Sequence, residues 1–134
     1  MDVLSALYDV NPLAVIVAGI LHMVIGLVWY QPKLFGNAWV ALTGKDLNPA
    51  KKWLGLGVIG HLTIALVLAL LIGLAGAKDA VGGFTIAFLV WIGFIVTLEI
   101  GELIWEKIQT KLFLIRIGEH LLSLSLAGII LAVW

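Results

Sequence analysis

Residues 53–76 read WLGLGVIGHLTIALVLALLIGLAG, a stretch with no charged side chain. A helix of about 20 apolar residues crosses a hydrocarbon core of about 30 Å, so this segment by itself places the chain in a membrane. Working outward, the blocks Pro12–Gln31, Val81–Trp105 and Leu112–Trp134 have the same length and character. Hydrophobic residues make up 63% of the chain and charged ones 12%, against about 45–50% and 25% in a soluble domain. A soluble helical bundle would need polar stripes at helical spacing, and the four blocks hold too few polar residues to make them. The expected fold is all-α: one membrane domain over residues 1–134, with four transmembrane helices at about 12–31, 52–76, 81–107 and 111–134.

The boundaries carry their own signals. Asn11-Pro12 and Asn48-Pro49 each pair an N-cap residue with a proline at the first helical position, where its missing N–H costs nothing. Asp79 is placed to cap the third helix, and the short connection Gln109-Thr110-Lys111 predicts an antiparallel hairpin of helices three and four. In the longer first connection, Phe35, Trp39 and Leu42 lie at helical spacing beside polar neighbours, which predicts a short interfacial helix. Lys33, Lys45, Lys51, Lys52, Lys107 and Lys111 fall at one membrane face and Lys78 alone at the other. The positive-inside rule then puts the lysine-rich connections in the cytoplasm and both termini outside. Asp2 and Asp9, with no lysine or arginine, precede the first block, so a cleaved signal peptide is not expected. The absence of cysteine excludes disulfides, thiolate ligands and c-type haem attachment. A net charge of zero with no basic stripe gives no reason to expect nucleic acid as a partner.

The polar residues inside the blocks are few and placed alike. Counted at about 1.5 Å per residue from Tyr30, Lys52, Lys107 and Lys111, the residues His22, His61, Glu99 and His120 each fall about 12–14 Å below the lysine-rich boundary. Ionisable groups at that depth are costly and are seldom kept without a partner or a task. Glu99, Glu102 and Glu106 share one stripe of helix three, and Arg116, Glu119, His120 and Ser123 share one of helix four. Arg116 falls opposite Glu102, which predicts an internal ion pair. Small residues around His22 and along the row Gly57, His61, Ala65, Ala69 and Gly73 let helices approach closely, so these histidines are expected to face the interior. Such small-residue rows also predict a homo-oligomer.

Three chemistries fit the layer. His22, His61, His120 and either Glu99 or Glu119 are a donor set for a divalent metal, bound or transported. The same groups could pass protons or ions, with Arg116 as counter-charge. Two of the histidines could instead ligate a haem, the glycines making room for the macrocycle; this is the weaker cofactor expectation. A purely structural role, in which the charges satisfy one another and fix helix register, fits as well. There is no His-Glu-x-x-His, no Glu-x-x-His and no phosphate-binding loop, and Ser123 and Ser125 lack a nucleophile setting. A non-enzyme is therefore expected.

The run Leu27-Val28-Trp29-Tyr30-Gln31-Pro32-Lys33-Leu34-Phe35-Gly36-Asn37-Ala38-Trp39 resembles a signature of the form L-x-W-Y-x-P-x-x-F-G-x-x-W. It is similar to that of the small four-helix membrane proteins grouped as domain of unknown function seventeen-sixty-one. Leu42-Thr43-Gly44, Trp91-Ile92-Gly93-Phe94, Lys111 to Ile115, Gly118 and the end from Ala127-Gly128 to Trp134 extend the resemblance over most of the chain. It implies the four-helix architecture and brings no activity, and the expected location is a prokaryotic cell membrane. The positions of His22, His61, His120, Glu99, Glu102 and Glu119 depart from the apolar, amide or aromatic residues of similar sequences. The polar layer is therefore not implied by the resemblance.

Overall fold

The computed structural model describes residues 2–134. Four of its helical segments are long and apolar enough to cross a membrane: Pro12–Trp29, Lys51–Ala75, Ala80–Trp105 and Thr110–Val133. A short helix α1 (Val3–Asp9) precedes them, started by Asp2, whose carboxylate accepts from the N–H and the hydroxyl of Ser5. The Ser5 N–H bond holds the Asp2 carboxyl below the usual carboxylate range.

Helix α2 (Pro12–Trp29) starts as its sequence predicts. Asn11 Oδ1 accepts from the N–H groups of Leu13 and Ala14, and Pro12 occupies the first turn. The second cap does not form. Asp46 Oδ1 takes the N–H of Asn48 at 2.7 Å, a local turn that leaves Asn48-Pro49 outside the helix. The second span begins one turn later, through a 3₁₀ turn at Lys51–Trp53 into α4 (Leu54–Ala75), which ends on the left-handed Gly76. Asp79 does cap α5 (Ala80–Val90), accepting from Gly82 N–H at 2.7 Å. The third span then widens through a π-helical segment, Trp91–Val96, and closes as α6 (Thr97–Trp105). Helix α7 (Thr110–Val133) completes the bundle.

The first connection shows what the aromatic signature builds. The expected helix is present as α3 (Asn37–Thr43), reached through a kinked turn at Pro32–Gly36. Phe35 stacks on Trp29 at 4.4 Å, and Trp39 meets Tyr30 edge-on. Gly36 lies so close to the Tyr30 and Gln31 backbone that a Cβ there would overlap the Tyr30 carbonyl oxygen. Trp29 donates its indole N–H to Ile115 O of α7 at 3.1 Å, which fastens the end of the first span to the fourth. The signature residues thus make a turn and its attachment.

Helix α7 is the central element, packed against α2, α4 and α5. Buried apolar residues from all four spans, among them Ala18, Leu68, Ala87, Leu124 and Ala127, form one cluster. The closest approach is between α5 and α7. A Cβ on Gly83 would overlap Gly128 O, and one on Gly128 would lie 2.6 Å from Gly83 O. Small residues here bring two backbones into contact, as apolar packing in lipid favours.

Candidate intramembrane polar cluster

Helix α2 lays Gly19 against Leu62 of α4, and this close approach brings the next inward residue, His22, onto His61. Their Nδ1 atoms are 2.9 Å apart. The other nitrogen of His22, Nε2, lies 3.2 Å from Ser123 Oγ of α7. Ser123 is also 3.4 Å from His120 O. On the same helix, His120 Nδ1 lies 2.8 Å from Glu119 Oε2, an ion-pair distance when the imidazole is protonated. The rings of His22 and His120 lie 6.4 Å apart, and Gly26 faces Glu119 without a side chain of its own. His22 is 2% exposed, Glu119 4% and Ser123 0%. Burial this complete demands polar partners: His22 and Ser123 hydrogen-bond each other, and Glu119 has the His120 imidazole at ion-pair distance.

The hydrogen-bond grammar of the pair is restrictive. A contact between two imidazole Nδ1 atoms needs one N–H and one lone pair, so one ring has its proton on Nδ1 and the other does not. If His22 carries it, His22 Nε2 accepts from the Ser123 hydroxyl. If His61 carries it, His22 Nε2–H donates to Ser123 Oγ, and the hydroxyl hydrogen turns to His120 O. Both patterns satisfy the same atoms, and they differ by the position of protons along Ser123–His22–His61.

Glu99 stands apart from this cluster. Arg116 Nη1 donates to its Oε2 at 3.3 Å, and Glu102 lies further from the same nitrogen, at 3.9 Å. The expected Arg116–Glu102 pair is present as the looser half of a triad whose closer partner is Glu99. The depth count goes astray because Lys107 is not helical. It takes a left-handed φ of 52° in the connection, after α6 has ended at Trp105. Glu99 and Arg116 each lie about 9 Å from the near end of their own helix, at one level of the hairpin. His120 lies a turn deeper.

The structure therefore brings His22, His61, His120 and Glu119 together and gives Glu99 to Arg116. Among the described residues no three His, Asp or Glu side chains converge as a metal-ligand set. A macrocycle does not fit between His22 and His61, whose rings touch through a direct hydrogen bond with centroids 4.9 Å apart. Ser123 is the residue that sequence reasoning passed over as a partner. Its signal was its place in the Arg116, Glu119 and His120 stripe, outweighed by the habit of buried serines to bond their own helix. Trp29 and Trp91 are legible in the sequence only as motif matches. Their indoles donate to Ile115 O and to Ile117 O, two residues apart within one turn of α7.

An all-α bundle of four membrane-crossing helices around a buried His/Ser/Glu cluster defines the class of protein. The chain belongs to the family described as "Protein of unknown function (DUF1761)", whose model matches residues 13–132. No curated protein and no solved structure matches the chain.

Proposed function

We propose that this is a proton-handling membrane protein, in which Ser123, His22, His61, His120 and Glu119 take up protons and pass them among themselves at mid-membrane. The observation that carries the reading is the Nδ1···Nδ1 contact of 2.9 Å, backed by Ser123 on the far nitrogen of His22. Such a contact has two proton arrangements of the same heavy-atom geometry. As His22 Nδ1–H passes to His61 Nδ1, His22 Nε2 takes the Ser123 hydroxyl proton. Ser123 is re-protonated by an incoming proton, and His61 releases the one on its Nε2. Imidazole is also the side chain whose ordinary titration range falls near physiological pH.

Nitrogen-15 histidine spectra of the protein in bilayers, recorded across pH, test this. Sites that share protons titrate in joint macroscopic steps. The expected result is that the three imidazoles change together, with a coupling across the His22–His61 hydrogen bond. His22→Phe should then displace the curves of both His61 and His120. Three independent curves, unmoved by His22→Phe, would sink the proposal.

A divalent metal is the second reading, supported by the facing Nδ1 atoms of His22 and His61. Both can reach one ion at about 2.0–2.1 Å after a small opening of the pair, while Ser123 on His22 Nε2 serves as the outer partner that orients a ligating imidazole. Glu119 or His120 would have to turn inward to complete the set. Elemental analysis of the purified protein distinguishes the readings. Stoichiometric metal that disappears in His61→Ala supports the ion, and its absence after growth and purification with added zinc removes it.

A further inference from the structure

The buried groups are sorted along the bundle axis with unusual sharpness. Towards the end that carries Lys107 and Lys111, the polar chain continues from His22 and Ser123 through His120 and Glu119 to Arg116, Glu99 and Glu102. Its deep end is buried, with Glu119 5% exposed, and the groups beyond it are each partly exposed: His120 35%, Arg116 27%, Glu99 19% and Glu102 47%. Towards the Lys78 end the same four helices contribute Ala18, Leu68, Ala87, Leu124, Ala127 and their apolar neighbours, with Ser125 among them. Ser125, buried with no hydrogen-bond partner, is the last polar side chain inside the bundle in that direction. Beyond the apolar layer a 170 Å³ pocket opens at the outer end, bordered by Asp9, Asn11 and Trp134. Helix α2 places Asn11 about 16 Å along the axis from His22. Apart from Ser125, the buried residues over the interval are apolar and give a file of waters none of the polar partners it would need.

We infer that the cluster is a one-sided centre: protons or cations reach it and leave it through the Lys107/Lys111 end, and the Ala18–Leu68–Leu124–Ala127 layer closes it to the Lys78 end. The molecule in this state is not an open pore. Net passage across the membrane requires the apolar layer to part, and without that the centre loads and empties on one side. This rests on the cluster being a working site, as proposed above, but not on which ion it takes.

The chain has no cysteine, so single-cysteine variants report access directly. In proteoliposomes, Lys111→Cys and Lys78→Cys mark the two faces for a charged, membrane-impermeant thiosulfonate reagent. His120→Cys and Glu102→Cys are expected to react from the Lys111 face and to be protected from the Lys78 face. Leu68→Cys, which adds no bulk, is expected to be protected from both. Reaction of His120→Cys from the Lys78 face, from both faces or from neither overturns the inference, as does reaction of Leu68→Cys. If His120→Cys does not elute as the wild type does, Ser123→Cys probed with silver ions takes its place with the same expected outcome. Labelling measures access whatever the cluster binds, and the histidine spectra measure proton sharing whatever the access, so either idea can fail alone.

Discussion

Gly83→Ala is expected to destabilise the bundle by about 1–3 kcal/mol or more, the cost of forcing atoms into a closed interface. The added methyl meets Gly128 O and Ala132 Cβ, and a backbone carbonyl inside a helix cannot turn aside as a long side chain can. Helices α5 and α7 must separate, and the separation spreads to Ala87, whose Cβ faces Gly128. Helix propensity works the other way, since alanine gains about 1 kcal/mol over glycine in a helix interior. The clash wins because the contact is backbone on backbone. Gly101→Ala is the matched control on the same span, where a Cβ meets nothing within 4 Å. Thermal unfolding in detergent, followed by retention of the monodisperse peak, should show a lower midpoint for Gly83→Ala and an unchanged or higher one for Gly101→Ala. Equal midpoints would show that α5 and α7 do not cross at these glycines.

The second large effect is expected at Arg116. Removing one partner of a fully buried ion pair costs about 3–5 kcal/mol. The side chains of Arg116 and Glu99 are 27% and 19% exposed, which lowers the expectation for Arg116→Leu to about 2–3 kcal/mol once screening is allowed for. The loss is not only of attraction. Glu99 and Glu102 stand one turn apart on α6, and both carboxylates face the same guanidinium. Without it they repel each other in a medium of low dielectric. A double variant, Arg116→Leu with Glu99→Leu, should recover much of the loss, because an apolar pair of similar volume needs no counter-charge. Denaturation in mixed micelles of the two single variants and the double one gives the coupling directly. A double variant no more stable than Arg116→Leu alone would show that Glu99 is not the main partner.

The polar residues show how far the sequence reads. Helical spacing put Arg116, Glu119, His120 and Ser123 on one stripe of one helix, and of these the structure buries Glu119 and Ser123 and leaves Arg116 and His120 partly exposed. Depth counting brought His22, His61 and His120 to one level; there His22 meets His61, and the His120 ring lies 6.4 Å from that of His22. It failed for Glu99 because it took the helix to run through Lys107, where the chain has already turned. One residue with a left-handed φ moved a carboxylate from the histidine layer to the arginine. The Asn48-Pro49 cap failed for a similar local reason, Asp46 having taken the N–H of Asn48. The signature from Leu27 to Trp39 was legible as a pattern but not as an object. That Trp29 reaches across to Ile115, and that Gly36 is the residue a tight backbone turn requires, depends on contacts a linear pattern does not contain.

The sequence by itself determined the four membrane-crossing helices, two of their caps and the face of each helix that carries polar groups. These follow from chain-local physics: apolar length, the helical period and the hydrogen bonds of the first turn. Only the tertiary structure decided which polar group meets which, because a helix fixes the angles between its own side chains but not its rotation or offset against a neighbour. Those are set where backbones touch, at Gly19 on Leu62 and at Gly83 on Gly128. There the absence of a side chain allows an approach close enough to put His22 on His61 and leave Glu99 to Arg116.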